Sequence, residues 1–133
     1  MNVFVLDSNI VSFYMRKNQQ IIQTLHYELN RGNEVLVGPI AYYEVKRGYM
    51  AINAHSRLNE FYTLCAVLGV GQLDNTILDI AAEIYVELRD QRKTVEDADI
   101  LTAAFCRSHD FTLVTNNTQH FADISDLRFC DWS

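Results

Sequence analysis

Short apolar segments alternate with longer segments of helical periodicity along the whole chain. The clearest is Val3–Leu6, four β-forming residues that end abruptly at Asp7. A strand buried on both faces of a parallel sheet has this continuous apolar character. The other candidate strands are 34–37, 70–73, 111–114 and 127–130. Strands that alternate with helices predict a three-layer α/β/α fold with a central, mainly parallel sheet of four to five strands.

The helical segments follow from apolar residues at helix spacing between stop signals. We predict helices over about 10–31, 40–53 and 55–68, then from Asn75 as N-cap to a basic cluster near 89–93. A last helix follows an acidic stretch and extends to about 109. The chain contains no repeat or linker, so its 133 residues are interpreted as a single domain, 1–133.

Composition and charge exclude several classes of protein. No apolar run approaches the roughly 18 residues of a membrane span, and the N-terminus lacks the basic and apolar regions of a signal peptide. We therefore expect a cytoplasmic protein, with Cys65, Cys106 and Cys130 as reduced thiols rather than disulfides or zinc ligands. The net charge of −6 excludes tight sequence-independent binding of nucleic acid. A nucleic-acid role would need a local basic rim, bound metal cations or a basic partner.

Three acids within four residues, Glu96, Asp97 and Asp99, directly precede a helical pattern rich in small residues. Acids are favoured at a helix N-terminus by its dipole and free N–H groups, so this stretch alone could be a solvated first turn. In parallel α/β sheets, however, ligand sites lie outside the carboxyl ends of the strands. Asp7 follows the first strand and Glu44 lies about two helical turns past the second. We expect these acids to gather at one end of the sheet.

Converging carboxylates repel one another and raise each other's pKa, so such a cluster is costly unless a cation offsets it. With oxygen donors and no His at metal-ligand spacing, the fitting ions are Mg²⁺ and Mn²⁺. The histidines are therefore interpreted as surface or core residues. An ion held by a few carboxylates keeps waters that phosphate oxygens can replace, which is the arrangement for metal-assisted hydrolysis of phosphodiesters.

Five short motifs in register resemble the PIN-domain family, most closely the VapC toxins of bacterial type II toxin–antitoxin systems. The resemblance covers nearly the whole chain, and its motifs are residues 5–10, 38–40 with 43–45 and Gly48, 97–104, 113–118 with Phe121, and 131–132. It implies an endoribonuclease that depends on Mg²⁺ or Mn²⁺. It also implies a homodimer held inactive by a cognate antitoxin, whose C-terminal segment occludes the acidic pocket.

The resemblance assigns the core acids to Asp7, Glu44 and Asp99. On this hypothesis Asp7 and Asp99 hold the metal, and Glu44 is a further ligand or orients the metal-bound water. Asn117 stands where many relatives have a fourth acid, and it supplies no charge for a second metal. Many relatives also have an acid where this chain has His120.

Other residues are assigned supporting positions around the acids. Asp97 and Asn117 are candidates for indirect or water-mediated contacts with the metal. Candidates for hydrogen bonds to the site or to phosphate are Ser8, Thr115 and Asn116. Candidates for a basic rim that faces RNA are Lys46, Arg47, Arg89, Arg92 and Lys93.

Two alternative functions remain open from the sequence. The first is a non-catalytic PIN-like domain that only binds RNA or a partner, although uncompensated carboxylates do not favour phosphate binding. The second is a phosphatase that uses Asp7 as a nucleophile. The usual phosphatase pattern has an acid two residues later, where this chain has Asn9, and no suitable Lys follows a late strand.

Overall fold

A computed structural model describes residues 1–133 and contains a four-stranded sheet in which every pair of strands is parallel. The strands lie in the order β2-β1-β3-β4. Their bounds are Val3–Leu6 for β1, Glu34–Val37 for β2, Thr112–Val114 for β3 and Arg128–Cys130 for β4. The predicted parallel architecture is therefore confirmed. In this order the carboxyl ends of β1 and β3 are adjacent, with Leu6 opposite Val114.

Seven helices cover the two faces of the sheet. They are α1 (Ser8–Met15), α2 (Gln19–Asn30), α3 (Pro39–Ala51), α4 (His55–Leu68), α5 (Asn75–Asp90), α6 (Asp97–His109) and α7 (Thr118–Phe121). Successive strand residues point to opposite faces. Accordingly, Leu6 packs in a core with side chains of α1 to α4, whereas Val5 packs in a second core with those of α5 to α7. The sheet therefore lies between two layers of helices, and one core fills the space on each of its faces.

The predicted strand at 70–73 is wrong. Only Val70 forms a bridge, parallel to Val37, and the neighbouring Gly71 N–H donates to the Val37 carbonyl at 2.9 Å. Gly69 and Gly71 flank this single bridge. Glycines weaken a strand because they bring no side chain to pack and lose more entropy on ordering. At Gly71 the glycine is nevertheless required, because a Cβ would lie 2.4 Å from the Phe105 ring.

Two helix boundaries also differ from the sequence prediction. The helical segment predicted over 10–31, whose periodicity is interrupted at Asn18, is two helices, because the chain turns at Lys17 with φ 65° and Asn18 caps α2. The Asn18 side chain accepts a hydrogen bond from the Ile21 N–H at 3.2 Å. The N-cap of α5 is Asp74 rather than Asn75, and it accepts from the Ile77 N–H at 2.9 Å. Side-chain caps of this kind end one helix and start the next.

Two expectations from composition can be compared with the structure. None of the seven helices has the length and apolar character that a membrane crossing needs. All three cysteines are free, and Cys65 and Cys106 are buried. Burial raises the pKa of the Cys65 thiol to about 11 and that of Cys106 further. These thiols are therefore protonated near neutral pH and serve as small apolar core residues.

Candidate active site

Asp7 occupies the turn between β1 and α1, and its side chain is 6% exposed. It is the N-cap of α1, where Oδ1 accepts from the Ser8 N–H at 2.9 Å. Oδ2 accepts from the Thr115 hydroxyl at 2.8 Å. A carboxylate at a helix N-terminus is favoured by the free N–H groups and the dipole. Both oxygens are thus held in place, although the group is nearly buried.

Thr115 connects the end of β3 to Asp7. It is fully buried, and its hydroxyl oxygen also accepts from the Asn117 N–H at 3.1 Å. The Asn9 amide donates to the same oxygen at 3.4 Å, and its carbonyl accepts from the Asn116 N–H at 3.2 Å. The loops after β1 and β3 are therefore joined by one network. Sequence reasoning missed Asn9 as a member of this network, although its place in the Asp-Ser-Asn turn was the available signal.

Glu44 on α3 and Asp99 on α6 lie close enough to Asp7 for their charges to interact. Burial raises the pKa of Glu44, and the charges of Asp7 and Asp99 raise it further against the opposing Ser8 hydroxyl and Arg47. Burial also raises the pKa of Asp99, and the charge of Asp7 adds to this effect. The sheet topology thus brings three carboxylates from distant parts of the chain into one electrostatic cluster.

His120 on α7 faces the same cluster, with Nδ1 3.2 Å from Asp99 Oδ2. The ring is half exposed, and its charge and hydrogen bond partly offset the rise in the Asp99 pKa. His120 is thus a surface residue, as interpreted from the sequence, but it also contacts a site acid. The sequence signal for this contact was its position directly before Phe121, within the motifs of the resemblance.

The remaining predicted site residues are less closely connected to the carboxylates. Asp97 is exposed in the first turn of α6, and Glu96 rather than Asp97 adds to the negative field at Asp99. Asn117 is the N-cap of α7 but makes no side-chain capping hydrogen bond. Its backbone, like that of Asn116, is what joins the network around Thr115.

The five predicted rim residues differ in the groups that surround them. Arg47 lies 3.9 Å from the Glu44 carboxylate and over the Tyr43 ring, and Lys46 lies over the rings of two other tyrosines. Arg89 pairs with its neighbour Asp90, whereas Arg92 has no ion-pair partner. Lys93 pairs with Asp123. Of the five, only Lys93 lines a cavity with a site acid, a space of about 320 Å³ that also includes Asp99 and His120.

The three site carboxylates suit a divalent metal ion that keeps part of its water shell. No three Asp, Glu, His or Cys side chains are grouped so that they could hold an ion by themselves. Mg²⁺ does not need such a cage, since one or two carboxylates with several waters hold it in many phosphate-processing sites. Asp7, Glu44 and Asp99 provide only oxygen donors and an excess of negative charge. This chemistry fits an open Mg²⁺ or Mn²⁺ site.

The raised pKa values predict how the site affects stability. A carboxyl group with a raised pKa holds its proton more tightly in the folded state, so its contribution to stability falls as pH rises from its ordinary pKa to its raised pKa. Without metal, replacing Glu44 with Gln and Asp99 with Asn should therefore stabilise the protein at neutral pH. The gain should shrink as pH falls through that interval. Chemical denaturation of both proteins in EDTA measures this difference.

Subtracting the wild-type curve from the variant curve in that experiment removes the effect of other acids, such as Glu87. Arg107 lowers the pKa of Glu87, so this group contributes the opposite pH dependence to both proteins. A double variant that is less stable than wild type at neutral pH would show that burial and neighbouring charges do not raise the pKa values of the two carboxyl groups.

The family follows from comparison with known proteins. The family model described as PIN domain matches residues 4–127. The chain belongs to the PIN-domain family. This confirms the resemblance inferred from the five motifs. One relative of this PIN domain is the tRNA(fMet)-specific endonuclease VapC of Shigella flexneri. The two chains are 30% identical over 136 residues, and the alignment covers 98% of each. Ribonuclease VapC1 of Haemophilus influenzae (strain R2866) is 23% identical over 132 residues, with 98% of both chains covered.

Solved structures share the fold of this PIN domain. VapBC from Salmonella typhimurium, solved bound to DNA, matches with a TM-score of 0.88 and 24% identity over the full length of both chains. VapBC2 from Rickettsia felis, bound to a DNA fragment from its promoter, matches with a TM-score of 0.87 and 20% identity, covering 98% of this chain and 99% of that one. The agreement over whole chains confirms the PIN-like α/β/α architecture.

Proposed function

We propose that this PIN-domain protein is a metal-dependent endoribonuclease and the toxin of a type II toxin–antitoxin system. The observation that carries the proposal is the cluster of Asp7, Glu44 and Asp99, which reach one edge of the sheet from three separate segments. Two relatives that align over 98% of their length are named endonuclease and ribonuclease, and this supports the same activity. A protein of net charge −6 that binds RNA at such a cluster needs cations there.

Asp7 and Asp99 would hold a Mg²⁺ or Mn²⁺ ion, with Glu44 as a third ligand or as the group that orients an attacking water. When bound, the ion would activate water and offset the charge of the phosphate. Thr115 and Ser8 keep the Asp7 carboxylate oriented, and His120 bears on one oxygen of Asp99. No side chain near the acids is an obvious general base, so proton removal from water would depend on the ion.

The partners follow from the same family. We propose a cognate antitoxin that covers the acidic site, a homodimer as the toxin's own assembly, and a cytoplasmic location. Two VapBC structures that share the fold, those from Salmonella typhimurium and Rickettsia felis, were solved with DNA. The acidic surface charge of this chain suits an antitoxin with a basic contact surface.

The residue two positions after Asp7 does not support the phosphatase alternative. An aspartate phosphatase needs an acid two residues after its nucleophile, and here Asn9 uses both ends of its amide to join the loops after β1 and β3. A non-catalytic RNA-binding domain would gain nothing from carboxylates that repel phosphate.

Cleavage of total bacterial RNA by the purified protein tests the proposed function. The assay is run with Mg²⁺, with Mn²⁺ and with EDTA, and with the variants Asp99→Asn and Asp97→Asn. The two variants remove the same charge from the same helix turn, but only Asp99 lies in the carboxylate cluster. We expect metal-dependent cleavage that Asp99→Asn reduces by roughly a hundredfold or more and Asp97→Asn leaves unchanged. Cleavage that persists in EDTA, or in Asp99→Asn, would contradict the assignment.

Thr115→Val should reduce cleavage without removing a ligand. Valine has nearly the shape of threonine but cannot donate to Asp7 Oδ2 or accept from the Asn117 N–H. Loss of a group that orients a metal ligand typically costs about 10- to 100-fold in metal affinity or activity. The Mn²⁺ affinity, measured by titration calorimetry, and the cleavage rate should fall together. Thr115→Ser, which retains the hydroxyl, is the control and should stay close to wild type.

A further inference from the structure

A cavity of about 550 Å³ opens beside Glu44, and sequence reasoning did not anticipate it. It lies between α1, α3 and the start of α4, with Ser8 and Glu44 at one end. Arg16, Arg57 and Tyr49 line the rest of its polar wall. The cavity is thus continuous with the carboxylate cluster, yet it carries positive charge and an aromatic ring.

Arg16 is available to a ligand. Only Arg16, Lys46 and Arg92 among the Lys and Arg residues have no carboxylate within 4.0 Å. Lys46 lies over two tyrosine rings, and neither Lys46 nor Arg92 lines the cavity beside Glu44. Arg16 Nε donates to the Ser12 carbonyl at 3.3 Å, and its terminal nitrogens make no hydrogen bond within the protein. Its guanidinium also lies over the Phe13 ring, 5.5 Å from the centroid, a contact that leaves the terminal nitrogens free to donate. Its charge is therefore not neutralised by the protein itself.

Arg57 is held against the same turn of α1. Its Nη1 donates to the Met15 carbonyl at 2.9 Å, and its nearest carboxylate oxygen, on Glu60, is 4.0 Å away. Carbonyls of the last turn of α1, those of Ser12 and Met15, thus anchor both guanidinium groups. The C-terminus of a helix carries partial negative charge, which favours this placement of two cations. Two guanidinium groups that line one cavity can together bind an anion such as phosphate.

The other side of the cavity is suited to a flat apolar group. Tyr49 packs at 6.5 Å from the Phe61 ring, which fixes its orientation, and Ile52 beside it is 72% exposed. Gly48 leaves open space, since a Cβ there would meet no atom within 4 Å. Sites for single-stranded nucleic acid combine basic groups for the backbone with aromatic rings for the bases.

We propose that this cavity binds the nucleotide adjacent to the scissile phosphodiester of a single-stranded RNA segment. Its phosphate lies between Arg16 and Arg57, and its base lies against Tyr49. The cavity accounts for how RNA approaches an acidic protein beside its carboxylate cluster, since Arg16, a cation with no carboxylate partner, lines the cavity together with Glu44. The proposal rests on the proposed nuclease function, because Glu44 and Ser8 connect the cavity to the site of cleavage.

Binding of a fluorescein-labelled six-nucleotide single-stranded RNA of mixed sequence tests the proposal. Anisotropy is measured with Ca²⁺ in place of Mg²⁺, so that a cation offsets the carboxylates, and over a series of NaCl concentrations. A gel of the recovered RNA shows that it stays intact during the measurement. Arg16→Gln and Arg57→Gln remove the charge but retain a donor for the carbonyl each residue contacts. Each should weaken binding roughly tenfold and reduce the slope of log affinity against log salt by about 0.7. Arg128→Gln, which removes an exposed charge paired with Asp110, is the control and should change neither. Tyr49→Ala should also weaken binding about tenfold, whereas Tyr49→Phe should not.

The outcomes separate this proposal from the nuclease assignment. Wild-type salt slopes in Arg16→Gln and Arg57→Gln would overturn the proposed nucleotide site, even if the protein cleaves RNA. RNA binding that depends on both arginines in a protein that cleaves nothing would support the site and remove the nuclease. A wild-type protein that neither binds nor cleaves RNA would overturn both. If a hexaglutamate peptide binds through both arginines while RNA binding ignores them, the cavity takes an acidic protein segment and the proposal is wrong.

Discussion

Asp7→Asn should reduce RNA cleavage by roughly a thousandfold while leaving the protein folded. Asp7 is the most buried of the three site carboxylates and the one whose charge bears on both Glu44 and Asp99. Asparagine keeps the shape of the side chain but removes that charge. A divalent ion would then have lost its most rigidly held ligand, and Mn²⁺ should no longer stabilise the protein against heat.

The fold should survive because asparagine is as good an N-cap as aspartate. Its carbonyl can accept from the Ser8 N–H, and its amide can donate to the Thr115 hydroxyl oxygen, which is able to reverse its role. In EDTA the circular dichroism should match wild type. The melting temperature should be equal to that of wild type or higher, because the charge that raises the pKa of Glu44 and Asp99 is gone. The exposed Asp97→Asn is the control for the loss of one charge. Cleavage by Asp7→Asn at the wild-type rate would remove Asp7 from the site, and with it the proposed mechanism.

The fold could be predicted where local pattern and tertiary burial agree. The run Val3–Leu6 is apolar at every position because the sheet is covered on both faces, so its character as a buried strand is visible without a structure. The strand predicted at 70–73 did not form, because Val70 stands between two glycines and pairs only with Val37. The helical pattern of 10–31 is interrupted at Asn18, but it does not record that the chain turns there, because the left-handed backbone of Lys17 is a local conformation.

The site residues also fall into two groups, those that the sequence located and those that it did not. Asp7, Glu44 and Asp99 could be located because each occupies a place that the topology of a parallel sheet makes convergent. Asn9 and His120 were not singled out from the sequence, because their contacts join loops and helix ends and follow no helix or strand period. The basic rim stays a prediction. Most of its residues have an acid or a tyrosine ring within reach, and the sequence carried no signal of these contacts.

Phe121→Ala should cause the largest loss of stability among single substitutions near the site, about 3–5 kcal/mol. Phe121 is fully buried in the core beneath α6 and is the only buried residue of α7. A helix of one turn has little stability of its own, because nucleation costs more than one turn returns. The position of α7, and with it the contact of His120 with Asp99, therefore depends on one aromatic side chain.

Urea denaturation measures this loss, which is a large fraction of the 5–15 kcal/mol typical of a domain this size. Phe121→Leu should lose about 1 kcal/mol, because it retains most of the apolar volume. Val86→Ala removes a side chain that is 44% exposed on α5 and should change stability by at most about 0.5 kcal/mol. If Phe121→Ala unfolds at the same urea concentration as Val86→Ala, α7 is held by contacts other than Phe121. In that case His120 would keep its place at Asp99 in the variant, and metal affinity would stay at the wild-type value.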